Sequence, residues 1–325
     1  MTEKRNRIEI KRLFVGFWLS VIIFLGLCPT CIVADTTYEV AINKGTATFV
    51  VNKYNEGKWK STIDRELEPD DLVDGKSDKI GAKSKITILN VYEYELDMFE
   101  VLMSIFDVMS YIPEGISIND SLILMPYFSE DLIDELFPDK YEVWEALTVK
   151  WFYETEEFDE VPDETKNLIP IFKNPKDFND LLENYNIWAN AINLTMLSLG
   201  LKPYRILDGD EFVWQLIVSE IFTIARPFND YLTNVIKELD CNDIKLKENT
   251  LIIEKEGVED YKVEVIFNEQ GILSNIIFKT ADNRIIYEII EDNTEKFILI
   301  AIGIILAIGF TGIIYIVICK RKYNN

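Results

Sequence analysis

The sequence predicts an α+β fold, with antiparallel β-sheet packed against several helices and one C-terminal transmembrane helix. Three observations predict it. Strand-like alternation occupies both ends of the region 35–295, helical three-and-four spacing of apolar residues fills its middle, and Phe297 to Cys319 is an uncharged run of 23 residues. Such a run is long enough to cross about 30 Å of hydrocarbon at about 1.5 Å per residue.

The N-terminal segment carries Lys4, Arg5, Arg7, Lys11 and Arg12, and then an apolar stretch from Leu13 to Leu27. That order is the charged and hydrophobic part of a secretory signal over 1–34, with Ala34 at the cut; an uncleaved N-terminal anchor is the competing reading. The expected organisation is then an acidic domain at 35–295, divisible as 35–94 and 95–295, a spanning helix at 296–319 and a tail at 320–325. Lys320, Arg321 and Lys322 place the tail in the cytoplasm and the acidic domain outside.

Each element follows in chain order. Thr37 to Ile42, Thr46 to Lys53 and Lys58 to Ile63 read as a β-meander punctuated by Gly45 and Gly57, and Ser84 to Tyr94 as a fourth strand after a polar loop. Met98, Phe99, Leu102, Ile105, Phe106 and Met109 form a helical stripe. Ser129 opens a short helix to Phe137, and Trp144, Leu147 and Trp151 continue helical spacing. Asn174-Pro175 starts the most regular helix, whose stripe runs from Phe178 to Leu199 and stops at Gly200. Glu211 to Ala225 and Pro227 to Leu239 make two more helices, divided at a proline. Five strands follow: Ile244 to Lys247, Thr250 to Lys255, Tyr261 to Phe267, Ile272 to Lys279 and Arg284 to Ile290. Whether the two strand blocks share one sheet stays open.

The layout of a signal, hairpins punctuated at Gly45, Gly57 and Gly271, and a C-terminal span ending in Lys-Arg-Lys resembles archaeal-type single-pass surface proteins. The resemblance implies a location at the cell membrane and no particular chemistry.

Composition narrows function mainly by exclusion. The chain has 325 residues with a net charge of −23, and residues 35–296 hold 54 acidic against 25 basic side chains. A nucleic-acid partner is therefore excluded on electrostatic grounds. There is no histidine, which removes His-based triads and His-ligated metal centres. Phosphate-binding glycine loops are also missing, and no cofactor is expected. Cys241 is the one cysteine of the acidic domain, so an intrachain disulfide there is excluded. Tryptophans 59, 144, 151, 188 and 214 read as core in preference to sugar platforms.

Four acids are weak metal candidates: Asp70 and Asp74, in a turn superficially like the start of an EF-hand, and Asp208 and Asp210, in a second acidic turn where Asp210 reads as a helix N-cap. Asn119 and Asn193 fit the N-glycosylation sequon. Gly303, Ala307 and Thr311 give the spanning helix a smooth face for homodimer packing. The function expected is a membrane-anchored surface domain that binds a protein or small ligand or serves structurally. An exported carboxylate-dependent glycan hydrolase and a hydrophobe carrier with an apolar pocket under Asn174 to Leu199 are the alternatives.

Overall fold

The computed structural model describes residues 37–63, 65, 67–106, 123–155, 166–219 and 222–292. Nine strands form one antiparallel sheet, curled into a half-barrel. In chain order these are β1 (Gly45–Tyr54), β2 (Lys83–Leu96), β3 (Tyr141–Glu154), β4 (Lys166–Phe172), β5 (Ile244–Lys247), β6 (Thr250–Lys255), β7 (Tyr261–Phe267), β8 (Leu273–Thr280) and β9 (Ile285–Glu291). Their order across the sheet is β4-β3-β2-β1-β9-β8-β7-β6-β5. Two meanders thus run outward from the centre, and β1 against β9 joins them, with Phe49 opposite Glu291 and Tyr54 opposite Tyr287.

This corrects the expected fold. Where a sheet packed against several helices is expected, one curled sheet dominates and helices are few; the two strand blocks, whose pairing the sequence leaves open, share that sheet. Among the described residues no helix is long and apolar enough to cross a membrane, so the transmembrane, single-pass reading has no support in the structure. The segment 296–319, with Gly303, Ala307 and Thr311, lies outside the described residues, as do the signal region 1–34 and Asn119.

The curl has a local cause. Register shifts interrupt the ladders at Val51/Lys53, Lys83/Lys85, Ile88/Asn90, Ile266/Phe267 and Phe278/Lys279. Each such irregularity bends its strand and raises the right-handed twist. The outer strands are blunted: Lys245 and Lys247 mark β5, and Pro170 removes a backbone donor from β4.

Six helices are described: α1 (Glu56–Thr62), α2 (Met98–Ser104), α3 (Glu130–Leu136), α4 (Asp177–Ser198), α5 (Gly209–Val218) and α6 (Phe228–Glu238). Four local expectations change: the helix expected over Glu211 to Ala225 ends at Val218, and the Ile224 amide donates instead to the Gly271 carbonyl at 2.9 Å. Residues 58–62 belong to helix α1, because the Asn55 side chain accepts from the Lys58 amide and starts a turn that buries Trp59 and Thr62 on one face. Trp144, Leu147 and Trp151 lie on β3, which is paired on both sides from Val143 to Val149. Thr37 to Ile42 contains only an isolated bridge from Glu39 to Arg226.

Aromatic rings join sheet to helices. Phe106 stacks on Tyr185 of α4 with centroids 4.1 Å apart, while Phe178 of α4 lies 4.9 Å from Phe172 of β4 and 6.4 Å from Tyr231 of α6. Tyr231 is fully buried and its hydroxyl donates to the Phe172 carbonyl at 2.8 Å. The stripe of α4 buries Phe178, Leu181, Leu182, Tyr185, Trp188, Ala189, Ile192 and Met196. Beneath it, the crevice among Ile105, Pro170, Phe172, Phe178, Leu216, Phe222 and Thr223 measures about 10 Å³, too little for a hydrocarbon chain.

The first turn of α4 carries one group at odds with its surroundings. Burial, with Asp180 and Glu142 nearby, pushes the Asp177 carboxyl from the ordinary aspartate range up to about 6. A raised acid pKa means that the folded chain holds the proton more tightly than the unfolded one. The resulting penalty is absent below about pH 4 and complete above about pH 6, so stability from this group falls as pH rises across that window. Asp177→Asn is expected to stabilise the protein by about 1 kcal/mol at pH 7, after discounting for its partial exposure, and to be neutral near pH 4. Urea unfolding at both pH values checks it.

Candidate functional site

Among the described residues an open cleft of about 630 Å³ forms where the start of α5 faces the β6–β7 hairpin. Its volume lies in the range of small-molecule sites. Seven carboxylates line it (Asp208, Asp210, Glu211, Asp243, Glu254, Glu256 and Asp260) against two lysines, Lys255 and Lys262. Tyr261 and Ala281 also line it, over the buried side chain of Ile253.

The α5 wall is built by hydrogen bonding. Asp208 is the N-cap, its Oδ1 accepting from the Glu211 amide at 2.8 Å, which corrects the expectation that Asp210 caps. Asp210 instead accepts from the amides of Asn242 at 2.9 Å and Asp243 at 3.1 Å, latching the helix to the entry of β5. Glu211 pairs with Arg205. Gly209 lets this turn lie against the end of α6: a Cβ there would stand 2.1 Å from the Leu239 carbonyl oxygen.

The segment leading into α5 is held by α4. Asn193 donates to the Tyr204 carbonyl and accepts from the Tyr204 amide, at 2.8 and 2.7 Å. Asn186 does the same to Leu207, at 2.8 and 3.0 Å, and the Tyr185 hydroxyl donates to the Arg205 carbonyl at 2.9 Å. Two asparagines seven residues apart thus treat the passing backbone as a strand. Asn193, a sequon residue, engages both its amide nitrogen and its amide oxygen in this clamp.

The opposite wall is the hairpin. Its tip is anchored where the amides of Val258 and Glu259 donate to the carbonyls of Ile63 (3.2 Å) and Thr62 (2.9 Å) at the end of α1. Gly257 permits that approach, since its Cβ would lie 2.6 Å from both carbonyl oxygens. Leu251 and Ile253 point inward, and Lys255 continues their face at the end of β6. There its ammonium sits 5.1 Å from the Trp214 ring centre, a cation–π contact. Burial holds this ammonium below the usual lysine range, with Arg205 acting in the same direction and Glu211, Asp208 and Asp210 opposing.

The remaining charges divide into engaged and free. Glu254 pairs with Lys245 at 2.8 Å and with Lys262 at 3.9 Å, and the Lys245 hydrogen bond holds its carboxyl below the ordinary range. Asp243, Glu256 and Asp260 have no ion-pair partner among the described residues. Cys241 lies nearby, and burial together with Asp210, Asp208 and Asp240 pushes its thiol up to about 12, so it is not a thiolate at neutral pH.

Of the four acids singled out from sequence, the cleft includes Asp208 and Asp210. Asp70 and Asp74 are exposed in and beside the turn Pro69–Asp71, where the Asp71 carboxylate accepts from the Glu68 amide at 2.7 Å. Among the described residues no three His, Cys, Asp or Glu side chains are grouped so as to hold a metal ion. Trp59 and Trp188 are buried, whereas Trp144, Trp151 and Trp214 are half-buried, each with a lysine ammonium over its ring. Sequence reading missed Asp243, Glu254, Glu256, Asp260 and Lys255. A charge-dense hairpin, Glu254-Lys255-Glu256-Gly257-Val258-Glu259-Asp260, was the available signal.

Fold and cleft together define an antiparallel half-barrel protein with an acidic groove at one edge. Comparison of the chain with protein-family models, curated proteins and solved structures gave no match.

Proposed function

We propose that this protein is a binding protein whose acidic cleft takes an organic polycation, a linear polyamine being the best fit. The observation that carries the reading is the set of seven carboxylates converging on one cleft of small-molecule size, five of them (Asp208, Asp210, Asp243, Glu256 and Asp260) without an ion-pair partner among the described residues. A compact metal ion needs several oxygens within about 2.6 Å, a geometry the spread of these acids does not offer. A chain of separated ammonium groups can meet dispersed carboxylates one at a time.

Lys255 supplies the reference for such contacts, since its own ammonium already rests on Trp214 with three cleft acids acting on it. It competes with an incoming cation. Lys255→Met keeps most of the stem and removes one repelling charge, worth about 1 kcal/mol, so spermine should bind about fivefold more tightly. Isothermal titration of the wild type and this variant with spermine is the test. Affinity should fall steeply with ionic strength for both. Spermine binding that is absent, or indifferent to Lys255→Met, would remove the reading.

A further inference from the structure

We infer that the outer face of α4 is the contact between two copies of this chain. The buried stripe of α4 centres on Trp188, Ile192 and Tyr185, and opposite it stand Ile187, Asn190, Leu194 and Leu197, spaced three, four and three. That is the seam of a helix made to pack on another helix. The three apolar members are 58%, 76% and 59% exposed. The patch extends to one side onto Ile206, 46% exposed, in the segment clamped by Asn186 and Asn193. Exposed Met125 flanks the other side, two residues before Tyr127, whose hydroxyl lies 3.0 Å from Thr195.

Charge identifies the occupant. The chain has a net charge of −23 and 27% charged residues, yet Asn184 to Leu201 contains no charge at all. A cationic partner would be met by carboxylates, as in the cleft, and a heterologous helix would be chosen by charges flanking the seam. Here the flanking positions are Asn186, Ala191, Asn193 and Ser198. The partner that gains from a neutral face is one as acidic as this chain, because like charges set opposite one another oppose association. A second copy meets that condition, and a two-fold axis would set α4 on α4. Asn190, whose amide donates to its own Asn186 carbonyl at 2.8 Å, places a polar group in the seam that favours one register.

Purified full-length chain carrying a photoreactive benzophenone side chain at position 194 tests this, with position 80, also well exposed, as the comparison site. Position 194 should give a species of twice 37.8 kDa whose crosslinked peptide comes from α4 of the second copy. Its yield should rise with salt, which screens repulsion between the two acidic bodies. Ile187→Glu with Leu197→Glu, both at exposed positions, should leave the thermal melt unchanged and weaken association at least about tenfold by sedimentation. A crosslink no greater than at position 80, a crosslink mapping elsewhere, a yield that falls with salt, or association unchanged in the glutamate variant would each overturn the inference.

Discussion

Gly209→Ala is expected to destabilise the protein by about 3 kcal/mol and to open the cleft at its α5 wall. The Cβ would be placed 2.1 Å from the Leu239 carbonyl oxygen and 2.9 Å from the Leu239 carbonyl carbon and Cβ, so backbone must move. Overpacking a buried junction costs about 1–3 kcal/mol, and a clash with backbone belongs at the upper end. The expected fall in melting temperature is roughly 6–12 °C for a domain of this size. Because Asp208 and Asp210 flank Gly209, separating α5 from α6 also breaks the Asp210 latch to Asn242 and Asp243, and spermine affinity should fall with stability. Gly45→Ala is the matched control. A Cβ there meets nothing within 4 Å, and the substitution should change stability by less than about 1 kcal/mol.

Trp59→Ala should cost about 4 kcal/mol, the range for truncating a fully buried aromatic. The ring is inaccessible and packs 5.1 Å from Phe278, 5.5 Å from Tyr287 and 6.0 Å from Tyr54. Its indole N–H also donates to the Leu67 carbonyl, which the truncation leaves without that donor. The consequence reaches the cleft through α1, whose last carbonyls receive the Val258 and Glu259 amides. Loosening α1 should therefore expose the hairpin tip to proteolysis near Gly257 before global unfolding. Trp59→Phe keeps most of the packing and loses the hydrogen bond, so about half the cost is expected. Urea unfolding of both variants, with limited proteolysis in water, measures the two effects.

These expectations rest on features that sequence exposes unequally. Helix α4 was readable because its burial follows one face for 22 residues, and Asn174-Pro175 and Gly200 bracket it. Strands β6 and β7 were readable because alternate residues face the core. Strand β3 was misread for a physical reason: Val143, Glu145, Ala146, Thr148 and Val149 are all buried, so both faces are covered and alternation disappears. The spacing of Trp144, Leu147 and Trp151 then imitates a helix. Strand β4 was missed because Pro170 argues against a strand, although at a sheet edge a missing donor costs little. Helix α1 is seven residues long and buries only Trp59 and Thr62, too short a pattern to set against Gly57.

The union of the two meanders was beyond one-dimensional reading, since β1 and β9 are separated by more than 200 residues and nothing local specifies their pairing. The cleft shares this difficulty. Its walls come from 208–211, 243, 253–262 and 281, and their charges look like ordinary solvated surface until the fold brings them together. Asp208 as N-cap was legible in hindsight from Asp208-Gly209-Asp210-Glu211, with the acid three residues after the cap that a capping pattern calls for. The asparagine clamps of Asn186 and Asn193 left no such trace, because an asparagine inside a helix normally reads as neutral surface.

The most direct test of a cleft-specific polycation site separates it from the general attraction of an acidic protein. Spermine should be titrated calorimetrically into a variant with Asp243→Asn, Glu256→Gln and Asp260→Asn, and into a second variant that neutralises three exposed acids outside the cleft, Asp70, Asp74 and Glu248. Both lose the same net charge. The account predicts that the cleft variant loses at least about tenfold in affinity while the distant variant stays within about twofold of wild type. Equal losses in the two would mean that spermine reads only the overall charge, and would contradict a binding site in the cleft.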